Sequence, residues 1–151
     1  MSSITRYGGG VVPSLRKHWY AGTDALLPGY AMCYDESAAN AAATAENVRL
    51  GNVVAKPATA NLFAFAGIVA PGAGITGPGY VTLIEPRQGI CVDAFSDIDT
   101  VKGATALGVA NGSYGLTTPT DDQFKEAFVA TAMETDATLT STSANTMVYL
   151  R

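Results

Sequence analysis

Tyr80-Val81-Thr82-Leu83-Ile84-Glu85-Pro86-Arg87-Gln88-Gly89-Ile90-Cys91-Val92-Asp93-Ala94-Phe95 decides the fold class. Val81, Leu83 and Glu85 share one side of the first half, and Tyr80, Thr82 and Ile84 the other. That is the period of two an extended strand imposes. Pro86 to Gly89 breaks the run with turn residues, so Ile90 to Phe95 is predicted to return as the hairpin partner of Tyr80 to Glu85. The same grammar extends in both directions. Tyr30 to Tyr34, Val48 to Val54 and Leu62 to Ala70 read as strands, the last stopped by Pro71-Gly72. Residues 71–79 hold four glycines and two prolines and read as a loop. Thr105 to Val109 leads to Asn111-Gly112, the strongest two-residue hairpin signal in the chain, with Ser113 to Thr117 after it. Phe128 to Glu134 and Thr146 to Leu150 close the set. Residues 37–47 are Ala-rich and fit a short helix or a surface loop. Residues 121–127 fit one helical turn with Asp121 as N-cap.

About eight short strands with regular turns predict an all-β fold, a small β-sandwich or β-barrel. The first 28 residues break the pattern. Gly8-Gly9-Gly10 is a flexible break, and Pro13 and Pro28 bracket scattered anchors at Leu15, Trp19, Tyr20, Leu26 and Leu27. The organisation expected is therefore an extended N-terminal arm over 1–28 and a single β domain over 29–151. At 151 residues one domain with a substantial core is the natural reading.

Charged residues make up only 15% of the chain and the net charge is −4. Soluble domains usually carry about 25% charged residues. Ala, Gly, Thr and Ser fill the gap, which suits a surface that packs on other protein. The acidic balance argues against direct nucleic-acid binding. No run is long and apolar enough for a membrane span or a secretory signal, so no membrane is expected and the chain reads as made in a cytoplasm. The charge is uneven. Arg6, Arg16 and Lys17 are the only charged residues in 1–20, while the rest holds all thirteen acids. A basic arm ahead of an acidic body either docks on something acidic or frays with three chance charges.

Residues with chemical potential fall short of a site. His18 is the only histidine, and a Ser-His-Asp system needs it fixed between a nucleophile and an orienter. Flanked by Arg16, Lys17 and Trp19, it reads as a contact or solvent-exposed residue. Asn111-Gly-Ser-Tyr-Gly115 nearly matches a nucleophile elbow, but no histidine follows it. Glu134-Thr135-Asp136-Ala137 resembles a lipoyl-attachment turn without its lysine. Asp93, Asp97, Asp99, Asp121 and Asp122 lack the remaining ligands of a calcium loop and read as solvated loop acids. Cys33 and Cys91 show no Cys-x-x-Cys spacing; they read as buried thiols, with one disulfide left open. No catalytic, metal or cofactor site is expected, and the chain is not expected to be an enzyme. What remains is an aromatic and cationic cluster in the arm: Arg6, Tyr7, Arg16, Lys17, His18, Trp19 and Tyr20. Aromatic residues with arginine anchor protein interfaces, so these seven are the candidate partner-binding residues. For Trp19 and Tyr20, core packing is the competing role.

From about Leu50 onward the chain resembles the small β-rich capsid decoration, or cement, proteins of tailed bacteriophages. The resemblance is carried by Val53-Val54-Ala55-Lys56-Pro57-Ala58-Thr59-Ala60-Asn61-Leu62, Phe65 to Ala70, Gly89 to Ala94, Gly103-Ala-Thr-Ala-Leu107-Gly108 and Asn111 to Gly115. It covers about two thirds of the chain, with the N-terminal segment and residues 37–47 departing from the family's compact pattern. It implies a structural virion protein on the outer surface of an icosahedral shell. Its partner would be the major capsid protein, which it would bridge as a homotrimer docked through the arm. Two other readings stay open: a β-sandwich module for glycans or a host surface, and a subunit of a tube or filament.

Overall fold

The computed structural model describes residues 13–35, 52–87, 90–118 and 128–150. The fold is all-β, with no helix among the described residues. Eleven strands follow in order: β1 (Leu15–Tyr20), β2 (Ala25–Leu26), β3 (Ala31–Tyr34), β4 (Val53–Ala55), β5 (Phe65–Val69), β6 (Ile75–Thr76), β7 (Gly79–Ile84), β8 (Cys91–Ser96), β9 (Ala106–Gly108), β10 (Phe128–Ala132) and β11 (Ala144–Leu150). Five of them close a barrel in the order β1-β4-β3-β5-β7. An odd number of strands cannot alternate direction all the way round. The mismatch falls at β1–β4, which is parallel, while the other four pairings are antiparallel. A four-stranded antiparallel sheet, β8-β11-β10-β9, packs on the barrel, and β2 and β6 form a small third pair.

Alternation along the strands divides the core. Met32, Val54, Ala66, Val69, Val81 and Leu83 fill the barrel with Tyr20. Ala31, Cys33, Ile68 and Ile84 leave the same strands on the outer side and meet Val92, Ala94, Leu107, Ala130, Val148 and Leu150 of the sheet. Each body carries one bulge. In β5 an extra residue lies between the partners of Met32 and Cys33, beside Gly67 at φ +147°. In β10 the register shifts between Phe128 and Ala130, so Val129 and Ala130 both reach the core. A bulge of this kind re-aims neighbouring side chains.

The sheet has two edges, and one segment occupies both. Leu116 donates its N–H to Phe95 O and accepts from Asp97 N–H on the β8 side, while Thr117 exchanges both backbone hydrogen bonds with Gly108 of β9. Three more backbone bonds join the bodies: Phe95 N–H to Gly29 O, Ala31 N–H to Tyr114 O, and Gly112 N–H to Pro57 O.

Several expectations are corrected. Residues 15–20 are not an irregular arm; they form β1, hydrogen-bonded on both sides, so the described part of 1–28 belongs to the folded body. Tyr80 to Glu85 and Ile90 to Phe95 are not a hairpin. β7 already has β5 and β1 as neighbours, which leaves β8 to pair with β11. The strand taken for an arm holds the place of the predicted partner. The loop predicted over 71–79 contains β6 and the start of β7. The Asn111-Gly112 turn is present, with Gly112 at φ +78°, but only isolated bridges follow it at Leu116 and Thr117. Residues 37–47 and 121–127 lie outside the described residues, as does most of Val48 to Val54. Cys33 and Cys91 are free thiols; Cys33 is buried as expected, whereas Cys91 is only half-buried, which corrects its reading as a buried thiol. Burial pushes the Cys33 thiol up to about 12, which keeps it protonated and inert.

Candidate functional site

The predicted partner-binding residues split across the two faces of β1. Arg6 and Tyr7 lie outside the described residues. His18 and Tyr20 point into the barrel and are buried, at 0% and 2% exposed, which corrects their assignment as arm contacts. Lys17 is exposed, and Trp19 is half-buried on the outer side. The register places Trp19 opposite Tyr80, Lys17 opposite Thr82, and Leu15 opposite Ile84. Directly opposed residues project to the same face. The outer face of β1–β7 therefore carries Leu15, Lys17 and Trp19 beside Tyr80 and Thr82. Trp19 and Tyr80 meet edge to face at 5.1 Å between ring centroids. Leu15 and Tyr80 are each 54% exposed.

The inner face of β1 ends in two different polar arrangements. At one end, His18 Nδ1 lies 3.2 Å from Arg16 O. A carbonyl only accepts, so Nδ1 carries the proton, and Nε2 accepts from the Tyr34 hydroxyl at 3.3 Å. Arg16 and Glu85 stand nearby, 3.8 Å apart, and Ser14 Oγ donates to the other Glu85 oxygen. Burial is the main cause that lowers the His18 pKa, so the ring is held neutral. At the other end, Tyr114 OH donates to Asp24 Oδ2 at 2.8 Å. Tyr20 OH donates to Tyr114 OH at 3.0 Å and accepts the Asp24 N–H. Tyr30 stacks on Tyr114 at 4.8 Å, and the Lys56 ammonium lies 4.8 Å from the Tyr114 ring centre. Burial, then the bonds to Tyr20 and Asp24, push the Tyr114 phenol far up, so it stays a donor. Tyr20, Asp24, Lys56 and Tyr114 line a recess of about 340 Å³ at the barrel mouth.

Tyr114, Asp24, Tyr30 and Lys56 were not singled out as a cluster by sequence. They are separated by as much as 90 positions, and nothing local links them. Ser113, at the serine position of the near-elbow, gives its hydroxyl to Asp97, and Gly115 N–H donates back to Ser113 Oγ. This is a turn brace with no histidine beside the serine: His18 is engaged by Arg16 and Tyr34 inside the barrel. The acids are likewise not all solvated. Asp93 sits on β8 at 8% exposure, which corrects its reading as a loop acid, and Asp99 Oδ1 accepts the Thr140 N–H. Among the described residues, no group of three His, Cys, Asp or Glu side chains is placed to hold a metal ion.

A second recess, of about 260 Å³, adjoins the mouth across Ala55 and Lys56. Tyr34, Ala58, Ala60 and Ala64 form its walls, and Phe63, at 66% exposed, stands at its side. No family model matches the chain, and no curated protein matches it.

Proposed function

We propose that this chain is a structural virion protein that binds the outer surface of an icosahedral phage capsid. In this role it stabilises the shell by bridging major capsid subunits as a homotrimer. The observation that carries the reading is the outer face of β1–β7. Two large apolar residues more than half exposed, a tryptophan and a lysine share one strand pair of a closed barrel. Single exposed apolar residues are ordinary, but several on one rigid face mark a protein contact. Aromatic residues beside a cation are the composition of interface centres. Rigid strands also spare the ordering cost, roughly 1–2 kcal/mol per residue, that a flexible arm must offset. The docking element is thus the barrel wall, in place of the arm expected from sequence.

The tube or filament alternative would pair edge strands or arms in open head-to-tail fashion. Among the described residues the barrel is closed and Leu116–Thr117 bridges one end of each sheet edge, which counts against the edge-strand form of it. The glycan alternative has the barrel mouth in its favour, where Asp24 and Lys56 flank an aromatic floor.

Sedimentation of the purified protein with and without expanded phage capsids tests the reading. The expected result is a discrete small oligomer that co-sediments at a fixed copy number per shell. Tyr80→Ser and Lys17→Glu should each weaken binding by about tenfold or more, as for residues at an interface centre. A protein that ignores capsids would overturn the reading and favour the mouth as a glycan site. Removing residues 1–20 is the wrong test, because it deletes β1 and opens the barrel.

A further inference from the structure

Two groups of opposite charge line the barrel-mouth recess without pairing with each other. Asp24 is anchored at three points. Its Oδ2 accepts the Tyr114 hydroxyl at 2.8 Å, its N–H donates to the Tyr20 hydroxyl at 3.3 Å, and its carbonyl accepts the Gly77 N–H at 3.3 Å. Among the described residues nothing bonds its Oδ1. The Lys56 ammonium lies 4.8 Å from the centre of the Tyr114 ring, and among the described residues it makes no hydrogen bond or ion pair. Tyr114 thus touches both groups, the cation at its ring and the anion at its hydroxyl. It spaces the charges and holds each in place, which lowers the ordering cost of binding a ligand between them.

The tyrosines offer a ligand little else. Tyr114 gives its proton to Asp24, and Tyr20 gives its own to Tyr114. Neither hydroxyl has a second proton to donate. Their rings are covered as well, Tyr20 at 2% and Tyr114 at 9% exposed, with Tyr30 stacked on the latter. A neutral sugar that lays its C–H face on an aromatic ring finds no open face here. What the recess presents is an ammonium donor and a carboxylate acceptor. A lone anion drawn to Lys56 would be repelled by Asp24, and a lone cation drawn to Asp24 would be repelled by Lys56. A molecule carrying both charges meets both groups with the right sign. The recess, about 340 Å³, lies at the lower end of the roughly 300–1,000 Å³ of small-molecule sites, which suits a short ligand.

We propose that the barrel mouth binds a short zwitterion, its amino group at Asp24 Oδ1 and its carboxylate at Lys56 Nζ. The chemical class is that of a free amino acid or its β- or γ-amino homologue. Binding there uses none of the exposed β1–β7 residues assigned to the capsid contact, so either can fail without the other.

The test is a titration of the isotope-labelled full chain with β-alanine at low ionic strength, followed by backbone amide shifts in solution NMR. Saturable shifts are expected at Gly22, Thr23, Asp24 and Lys56. Ethylamine and propionate carry the two charges on separate molecules, and each should bind about tenfold or more weakly than β-alanine, because linking two contacts makes the second intramolecular. Asp24→Asn keeps an acceptor for Tyr114 and removes the anion. Lys56→Met keeps an aliphatic stem on the Tyr114 ring and removes the cation. Each should weaken β-alanine by about tenfold or more, the loss of one charge-assisted contact. Lys102→Met, at an exposed lysine of the other body, should change nothing. Circular dichroism and Trp19 fluorescence report whether each variant is folded. Absence of saturable shifts with β-alanine overturns the proposal. So does a half-ligand that binds as tightly, a folded mouth variant that binds as the wild type does, or an equal loss in Lys102→Met. Glucose that shifts the same amides at lower concentration than β-alanine would overturn it in favour of a neutral sugar.

Discussion

The barrel and the four-stranded sheet bury their residues in different ways. The barrel encloses its own core, Tyr20, Met32, Val54, Val69, Val81 and Leu83, and closes its ends with hydrogen-bonded aromatic groups. The sheet has only one buried face, lined largely by small residues such as Ala94, Ala130, Ala132, Val92 and Val148. It borrows the other half of its core from the barrel's outer wall at Ala31, Cys33, Ile68 and Ile84. Charge divides along the same line. The described barrel residues hold Arg16, Lys17, Lys56 and Arg87 against Asp24, Asp35 and Glu85, while the sheet holds Asp93, Asp97, Asp99, Glu134 and Asp136 against Lys102. The barrel also carries the proposed contact face at β1–β7. The sheet depends on it.

If the sheet depends on the barrel, breaking the barrel wall should unfold both. Gly67 is where the wall is least tolerant. Its φ of +147° suits glycine alone, and a Cβ there would run into the Ile84 carbonyl oxygen of the neighbouring strand. Gly67→Val therefore combines backbone strain with a clash that no rotamer relieves. Its cost should exceed about 4 kcal/mol, the range reserved for severe lesions. Urea unfolding followed by circular dichroism checks this. Gly112→Ala is the control, since Gly112 also has positive φ (+78°) but nothing within 4 Å of its Cβ position. Strain alone should cost about 1 kcal/mol there. Equal losses at the two sites would mean that the wall is not packed as described.

A second lesion tests the link instead of the wall. Tyr114 stands in the barrel mouth, its carbonyl accepts the Ala31 N–H, and the residues just after it close both edges of the sheet. Tyr114→Phe keeps the stack on Tyr30 but drops the hydroxyl that joins Tyr20 to Asp24, for a loss of about 1–2 kcal/mol. Trp19 fluorescence reports the barrel, and far-UV circular dichroism reports all strands. Coincident transitions in the variant would show one cooperative unit; separation of the two would break the claim of dependence.

How far these features were legible varies with the reach of each signal. Strand type was readable wherever apolar residues alternate, as in Tyr80 to Ile84, and so was the Asn111-Gly112 turn, because both are local. β1 was not, because its buried residues are His18 and Tyr20 and its first three residues, Leu15 to Lys17, are exposed, so the series imitates a surface segment. Partner choice was misread at β7 for the same reason: an unrecognised strand cannot be counted as a competitor for an edge. The mouth cluster was out of reach. Tyr20, Asp24 and Tyr114 meet only after the barrel closes.

His18 gives the last and smallest test, and it addresses whether the barrel's polar ends are truly dry. The neutral ring is buried between the Arg16 carbonyl and the Tyr34 hydroxyl, with the Arg16 guanidinium and Glu85 carboxylate as the charged groups facing it. Burial and Arg16 oppose protonation, while the Arg16 carbonyl and Glu85 favour it; the net effect is a folded pKa below the ordinary 6.5. The unfolded chain therefore takes up the proton first. Stability contributed by the neutral ring is fully present above pH 6.5, and it is lost as pH falls from there through the lower folded value. The depressed carboxyl of Asp136, held down by the Thr138 hydroxyl and N–H, acts in the same direction only at more acidic pH, below the ordinary 3.8. The Asp136 window opens only below 3.8, so it contributes nothing to a fall in the urea midpoint between pH 7 and pH 5, where the histidine window has already opened. His18→Gln cannot titrate and should flatten the profile in that window while leaving the decline below pH 4 in place. A profile unchanged by the substitution would mean that solvent reaches the ring, and that this end of the barrel is as wet as the mouth at Tyr114.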